Sequence, residues 1–161
     1  MSSIEVLAIG TELLLGFTVN TNGADLGRAL AAAGIRVTRQ TSVPDDPVAI
    51  RDAAREALVR SGAIIVTGGL GPTADDVTKK VIAELFGVPL DFQAEIWESL
   101  VQRFARFGRI PVAKNRSQAE VPRGATVLPN RWGTAPGLWL EGPLGLAILL
   151  PGVPSEMRAL L

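Results

Sequence analysis

Histidine, cysteine and tyrosine are all absent from this 161-residue chain. Their absence removes Ser-His-Asp and Cys-His catalysis, disulfides, zinc fingers and iron–sulfur sites together. Haem and flavin are not expected either. Any metal has to be held by oxygen, which points to a hard divalent ion such as Mg²⁺, Mn²⁺ or Co²⁺. An excess of one charge is also lacking, since 16 Lys and Arg balance 16 Asp and Glu. No long-range positive field exists to hold nucleic acid or an anionic membrane, and neither is expected as a partner. No apolar run approaches membrane-spanning length, and Met1-Ser2-Ser3 is too short and too lightly charged to open a signal peptide. A cytoplasmic location is the expectation.

What is present is 47% hydrophobic residues, 20% charged residues and 17 glycines, the balance of an ordinary globular domain. A single domain over residues 1–161 is expected. Nearly continuous apolar runs at residues 4–9, 63–67 and 146–150 suit strands buried on both faces of a parallel sheet. Residues 35–41 alternate Ile35 and Val37 with Arg36 and Thr38, as a half-exposed strand nearer an edge does. Between these runs the period turns helical. Leu26, Ala29, Leu30 and Ala33 form one face, stopped by Gly34, and Ile50, Ala54, Ala57 and Leu58 form another, opened by Asp45-Asp46-Pro47 and stopped near Gly62. Val77, Val81, Ile82 and Leu85 give a third helix, ended by Gly87, and Ile96, Leu100, Phe104 and Phe107 a fourth, ended by Gly108. The order predicts an α/β fold, a three-layer α/β/α sandwich around a mostly parallel sheet. Residues 109–140, rich in proline and glycine, are expected to be an inserted hairpin-and-loop region, with a short extended piece at residues 126–128. Ser155 is placed to cap a last helix that stops after little more than one turn, so the chain is expected to be a domain of a longer protein.

Chemistry concentrates where strands hand over to helices. Gly68, Gly69 and Gly71 let the backbone approach a ligand, the following helix offers free N–H groups, and Thr73 and Thr78 add hydroxyls. Together they make an anion cradle. Asp75 and Asp76 lie within it, and two carboxylates beside phosphates repel the ligand unless a divalent cation intervenes. Helix capping accounts for one of these acids, and less well for the whole Gly-Gly-x-Gly-Pro-Thr stretch. Gly10, Thr11 and Glu12 follow the first strand, and ligands of open α/β sheets bind at such a switch point. Glu12 precedes Leu13 and caps nothing obvious. Asn20 and Asn22 are candidates too, with capping the better account of one of them. Asp45 and Asp46 follow the second strand, where capping again explains at least one. Gly152, in Pro151-Gly152-Val153-Pro154, makes a rigid turn at the same edge. Arg103, Arg106, Arg109, Lys114 and Arg116 could face an anion, although such a run is usually a solvated face. Trp97, Trp132 and Trp139 suit core or interface better than nucleobase stacking.

These motifs occur together: Gly10-Thr11-Glu12-Leu13-Leu14-Leu15-Gly16, Val19-Asn20-Thr21-Asn22, Gly68-Gly69-Leu70-Gly71-Pro72-Thr73-Ala74-Asp75-Asp76-Val77-Thr78, Gly133-Thr134-Ala135-Pro136-Gly137 and Leu150-Pro151-Gly152-Val153-Pro154-Ser155-Glu156-Met157. Over essentially the whole chain they resemble the N-terminal domain of the competence/damage-inducible protein CinA family. The wider resemblance is to the molybdopterin-binding fold of molybdopterin adenylyltransferases and the gephyrin G domain. The resemblance implies an α/β sandwich that self-associates as a dimer or trimer. For the CinA branch it implies metal-dependent cleavage of the diphosphate in ADP-ribose or related dinucleotides, with Asp76, Asp45 and Glu12 as catalytic candidates and Asp75 and Asp76 on the metal. Gly10, Thr11, Asn22, Gly68, Gly69, Gly71, Thr73, Thr78 and Gly152 are the substrate-binding candidates. In the adenylyltransferase branch, acids matching Asp76 and Asp45 are functional. Ser117 stands where the family often has a second basic residue. The deamidase domain common in full-length CinA proteins is not in this sequence. Water as nucleophile gives a pyrophosphatase and a pterin phosphate gives an adenylyltransferase, while a non-catalytic nucleotide-binding or assembly module remains a further alternative.

Overall fold

The computed structural model describes residues 3–161; Met1 and Ser2, the start of the segment read as carrying no leader, lie outside the described residues. Strands β1 (Ser3–Ile9), β2 (Arg36–Val43) and β3 (Ala63–Thr67) alternate with helices α1 (Thr11–Leu14), α2 (Thr21–Ala32) and α3 (Pro47–Ser61). Then follow α4 (Thr78–Phe86), β4 (Leu90–Phe92), α5 (Ala94–Arg106), a 3₁₀ segment (Ala113–Ala119), β5 (Glu120–Pro122), β6 (Thr126–Leu128), β7 (Gly137–Gly142), β8 (Gly145–Leu150) and α6 (Pro154–Ala159). The main sheet has the order β2-β1-β3-β8-β7-β6. Its β2, β1, β3 and β8 run parallel, while β7 pairs antiparallel with β8 and β6 antiparallel with β7.

The period of two along each strand sorts the core into two layers. Leu7, Ile9, Ile64, Val66, Ala147 and Leu149 face Ile50, Ala54, Ala57 and Leu58 of α3 and Val81 and Ile82 of α4. Ile4, Val6, Ile65 and Leu150 face Leu26 of α2 and Met157 of α6. This is the expected sandwich, with helices on both faces of a mostly parallel sheet. Among the described residues no helix is long and apolar enough to cross a membrane.

Several boundaries differ from the sequence reading. The second strand is shifted to residues 36–43, still at a sheet edge. The third and fourth helices are not consecutive, because β4 intervenes and pairs with β5 in a separate ribbon. Both ribbon strands are too short for alternation to show. Phe107 is not on the buried face of α5 but caps its end, 75% exposed, with Gly108 at φ 65° turning the chain away. The region expected to be irregular to residue 140 contains the first four residues of β7, whose buried Leu138 and Leu140 alternate with Trp139 and Glu141. The glycines and prolines around it hide that period. Ser155 does not cap α6: Val153 holds that position and Pro154 opens the helix.

Candidate functional site

The sheet order reverses between β1 and β3, and their carboxyl ends meet the end of β8 there. Gly10 N donates to Val43 O at 2.9 Å and Gly68 N to Leu150 O at 3.1 Å. Gly68 adopts φ 103°, and a Cβ there would strike the Ile9 carbonyl oxygen. A Cβ on Gly152 would lie 3.1 Å from the Gly68 Cα. The turns after β1, β3 and β8 therefore close on one another and surround a cavity of about 600 Å³. Gly10, Glu12, Asn22, Asp45, Gly68, Gly69, Gly71, Asp76 and Gly152 all line it.

Capping decides which acids are free to serve that cavity. Asp46 caps α3 by accepting from Ala49 N at 2.8 Å. Asp45 is thereby released to the cavity edge, where its Oδ2 accepts from Thr11 N at 2.8 Å. Asp45 N donates in return to Thr11 Oγ1 at 3.2 Å, so Thr11 positions Asp45 beside the cavity. Glu12 sits exposed in α1 with its carboxylate folded over Gly10; a Cβ on Gly10 would lie 2.7 Å from Glu12 Oε2. Asn20 caps α2 by accepting from Gly23 N at 2.9 Å. Asn22 is buried instead, and its amide donates to Thr67 Oγ1 at 2.9 Å and Gly152 O at 2.8 Å, tying α2 to the ends of β3 and β8.

Asp76 stands ahead of α4 and does not open it: the helix starts at Thr78, and Val77 supplies no side-chain cap. Asp76 Oδ2 accepts from Thr73 N at 2.8 Å and from the Thr73 hydroxyl, closing a turn of its own. Thr73 thus holds Asp76 and is not among the residues lining the cavity. Gly71 lies beneath that carboxylate; a Cβ there would be 2.6 Å from Asp76 Oδ2. Thr78 is wholly buried under Gly69, donating from its N to Gly69 O at 3.2 Å, and supports the loop from below. Asp75 is exposed and outside the cavity, so the adjacent acids do not act as a pair there.

The cavity wall carries the carboxylates of Glu12, Asp45, Asp76 and Glu156 and no lysine or arginine. Among the described residues no group of 3 or more acidic side chains is close enough to cage a metal ion. Asp45 and Asp76 nevertheless each accept through Oδ2, and among the described residues no donor reaches their Oδ1. This donor set fits an ion that arrives with phosphate oxygens and needs only a carboxylate or two from the protein, the usual habit of Mg²⁺.

Glu156, Gln118 and Thr134 also line the cavity; Thr134 and Glu156 belong to the motifs quoted above, but none of the three is among the site candidates read from the sequence. Glu156 accepts from Asn130 Nδ2 at 2.7 Å, and its carboxylate occupies the space a Cβ on Gly133 would need. The glycine of Gly133-Thr134 and the Glu of Ser155-Glu156 are the signal that could have joined them. Gln118, 2% exposed, donates to Thr134 Oγ1 at 2.8 Å from the 3₁₀ segment, where no periodicity marks it.

The basic residues lie elsewhere. Arg103 and Arg106 of α5, with Arg131, border a second cavity of about 490 Å³, separated from the first by the loop bearing Thr134. Arg103 donates to the carbonyls of Asn130, Arg131 and Gly133. Arg116 stacks 3.9 Å over the Phe92 ring, which packs on Trp97. Arg109 and Lys114 are exposed, as is Trp132, while Trp139 donates from Nε1 to Glu141. Lys79 of α4 donates to Ser117 O, and burial lowers its ammonium to about 8, with Glu120 opposing part of that fall.

A family model described as a probable molybdopterin binding domain matches residues 5–161. A CinA-like protein of Gemmatimonas aurantiaca is 53% identical over 160 residues, covering 98% of this chain and 37% of that protein. Another, of Trichormus variabilis, is 46% identical over 157 residues, covering 97% of this chain and 38% of that protein. The chain thus spans 37% to 38% of the length of these curated relatives. The crystal structure of CinA from Thermoplasma acidophilum, described as having unknown function, matches with a TM-score of 0.89 at 36% identity over 99% of this chain and 94% of that one. The molybdopterin biosynthesis enzyme MoaB of Thermus thermophilus matches with a TM-score of 0.66 at 21% identity, over 100% of this chain and 87% of that one, a likeness of fold.

Proposed function

The chain belongs to the CinA-like group of the probable molybdopterin binding domain family, and from that premise we propose that its carboxyl-edge cavity binds a phosphorylated small molecule of the molybdopterin kind. The observation that carries this is the meeting of the glycine turns at Gly10, residues 68–71 and Gly152 around one cavity. The N–H groups of Gly69, Gly71 and Gly152 supply the donors that a phosphate accepts, while Gly10 and Gly68, whose own N–H groups go to Val43 O and Leu150 O, leave room for the approach. Asp45 and Asp76 are the residues that would hold a divalent ion carried in by the phosphate. That ion would neutralise the acids of the wall.

The same Asp45 and Asp76 oxygens favour a second reading, metal-dependent cleavage of the diphosphate of ADP-ribose. In it the turns hold the diphosphate, the ion supplies charge neutralisation, and Glu12 beside Gly10 orients the attacking water. One experiment separates the two: titrate molybdopterin and ADP-ribose into the protein with and without Mg²⁺, and analyse the ADP-ribose mixtures by chromatography. Saturable molybdopterin binding supports the first reading, and its absence overturns it. AMP and ribose 5-phosphate appearing only with metal establishes the second, and unchanged ADP-ribose removes it.

Self-association as a dimer or trimer belongs to the same proposal. Phe17, Phe107, Ile110 and Trp132 present large apolar surfaces to solvent, being 82%, 75%, 85% and 74% exposed. Light scattering at high concentration tests it, and a clean monomer counts against it.

A further inference from the structure

Asn22 carries a buried acceptor with nothing to accept from. Its orientation is fixed twice over. Gly152 O, a carbonyl, can only accept, so the atom 2.8 Å from it is the amide nitrogen. Thr67 Oγ1 gives its own proton to Pro151 O at 3.0 Å and must therefore accept from Asn22, again at its nitrogen, 2.9 Å away. Asn22 Oδ1 is left on the other side, buried and without any donor among the described residues. Asn22 is 8% exposed, yet it belongs to the wall of the carboxyl-edge cavity.

We propose that Asn22 Oδ1 reads a hydrogen-bond donor on the ligand, a sugar hydroxyl or a heterocyclic N–H, and so fixes which way round the ligand lies. This rests on the phosphate-binding reading above and goes beyond it. Phosphate oxygens are mostly deprotonated at neutral pH, the more so when they bind a divalent ion, and act chiefly as acceptors, so the phosphate is poorly matched to Oδ1. The phosphate end belongs at the glycine turns and the acids of Asp45 and Asp76. The donor-bearing end belongs at α2. Because a buried acceptor left unpaired is costly, a ligand lacking the donor is rejected more strongly than the loss of one contact would suggest.

The test compares inorganic pyrophosphate, ADP, 2′,3′-dideoxy-ADP and 6-hydroxymethylpterin diphosphate by calorimetry, on the wild-type protein and on Asn22→Leu. If the donor is a sugar hydroxyl, ADP binds the wild type roughly tenfold or more tightly than its dideoxy analogue, and Asn22→Leu collapses that ratio to near one. If the donor is a pterin N–H, the pterin diphosphate outbinds pyrophosphate by a similar factor in the wild type only. Either pattern supports the inference. Ratios that are the same in both proteins, or near one throughout, overturn it. Should Asn22→Leu fail to fold, the Asn22 side-chain amide resonances of the wild type serve instead: they shift with the donor-bearing ligand and not with pyrophosphate, and equal shifts with both overturn the inference. Pyrophosphate failing to bind while the Asn22-dependent ratio persists removes the phosphate reading and leaves the role of Asn22 standing.

Discussion

Asp45 and Thr11 hold each other across the carboxyl edge of the sheet, Thr11 N donating to Asp45 Oδ2 at 2.8 Å and Asp45 N to Thr11 Oγ1 at 3.2 Å. The pair joins the turn after β1 to the turn after β2, and among the described residues no donor reaches Asp45 Oδ1. Asp45→Ala deletes the acceptor for Thr11 N and is expected to cost about 1 kcal/mol in urea unfolding. Asp45→Asn keeps that acceptor and is expected to stay within ~0.5 kcal/mol of wild type, while Mg²⁺-dependent pyrophosphate affinity falls in both. Affinity unchanged in Asp45→Asn would confine Asp45 to a structural role.

Asp76 makes a sharper separation of fold from function. An Asn carbonyl oxygen can accept from both Thr73 N and its hydroxyl, so Asp76→Asn is expected to change stability by less than ~1 kcal/mol. Losing the charge removes a hard-cation ligand, and Mg²⁺-dependent affinity is expected to fall by roughly tenfold or more. Calorimetry across a Mg²⁺ titration reads both arms on one preparation. Retained affinity at low Mg²⁺ would leave Asp76 as nothing more than the lock of the 73–76 turn.

The glycines of the loop divide by what a methyl group would meet. Gly68→Ala forces a left-handed φ of 103° on alanine and drives its Cβ into the rigid Ile9 carbonyl, for an expected loss of about 3 kcal/mol or more. Gly71→Ala meets first the Asp76 carboxylate, a side chain that can swing away. It is expected to lose ligand affinity with a stability change within about 1 kcal/mol. Thermal unfolding and calorimetry on the two variants check the contrast.

Lys79 gives a pH signature away from the cavity. Burial lowers its ammonium from 10.5 to about 8 in the folded chain, so between these values the unfolded chain holds the proton that the folded chain has released. Stability from this group therefore rises with pH across that window and is flat below it. Lys79→Met is expected to remove the rise. Urea midpoints measured near pH 7 and near pH 10 on both proteins test it, and an identical pH slope in the two would contradict the assignment.

Much of this was legible in the sequence because the physics was local. The buried runs of β1, β3 and β8 and the Asp46-Pro47 and Gly62 ends of α3 carry their own signals, and the structure places them where those signals do. The glycines at 10, 68 and 71 marked the cavity for the same reason. What could not be read depended on partners distant in the chain. Asp45 and Asp46 are equally good caps until Thr11, 34 residues away, takes one of them. Asn22 resembles a helix cap until Gly152, 130 residues away, claims its amide. Glu156 and Gln118 reach the cavity through Asn130 and Thr134, contacts that no periodicity foreshadows.

A ¹H–¹⁵N NMR titration with Mg²⁺ and pyrophosphate shows whether the glycine turns at the carboxyl edge hold phosphate. The carboxyl-edge cavity and the one bordered by Arg103, Arg106 and Arg131 are of similar size and opposite charge, so the location of the response is decisive. Saturable shifts are expected at the amides of Gly69, Gly71 and Gly152, with smaller ones at the neighbouring Gly10 and Gly68, whose N–H groups are already bonded to Val43 O and Leu150 O, and all are strongly reduced when EDTA removes the metal. Shifts centred instead on Arg103, Arg106 and Arg131, or undiminished by EDTA, would contradict metal-dependent phosphate binding at these turns.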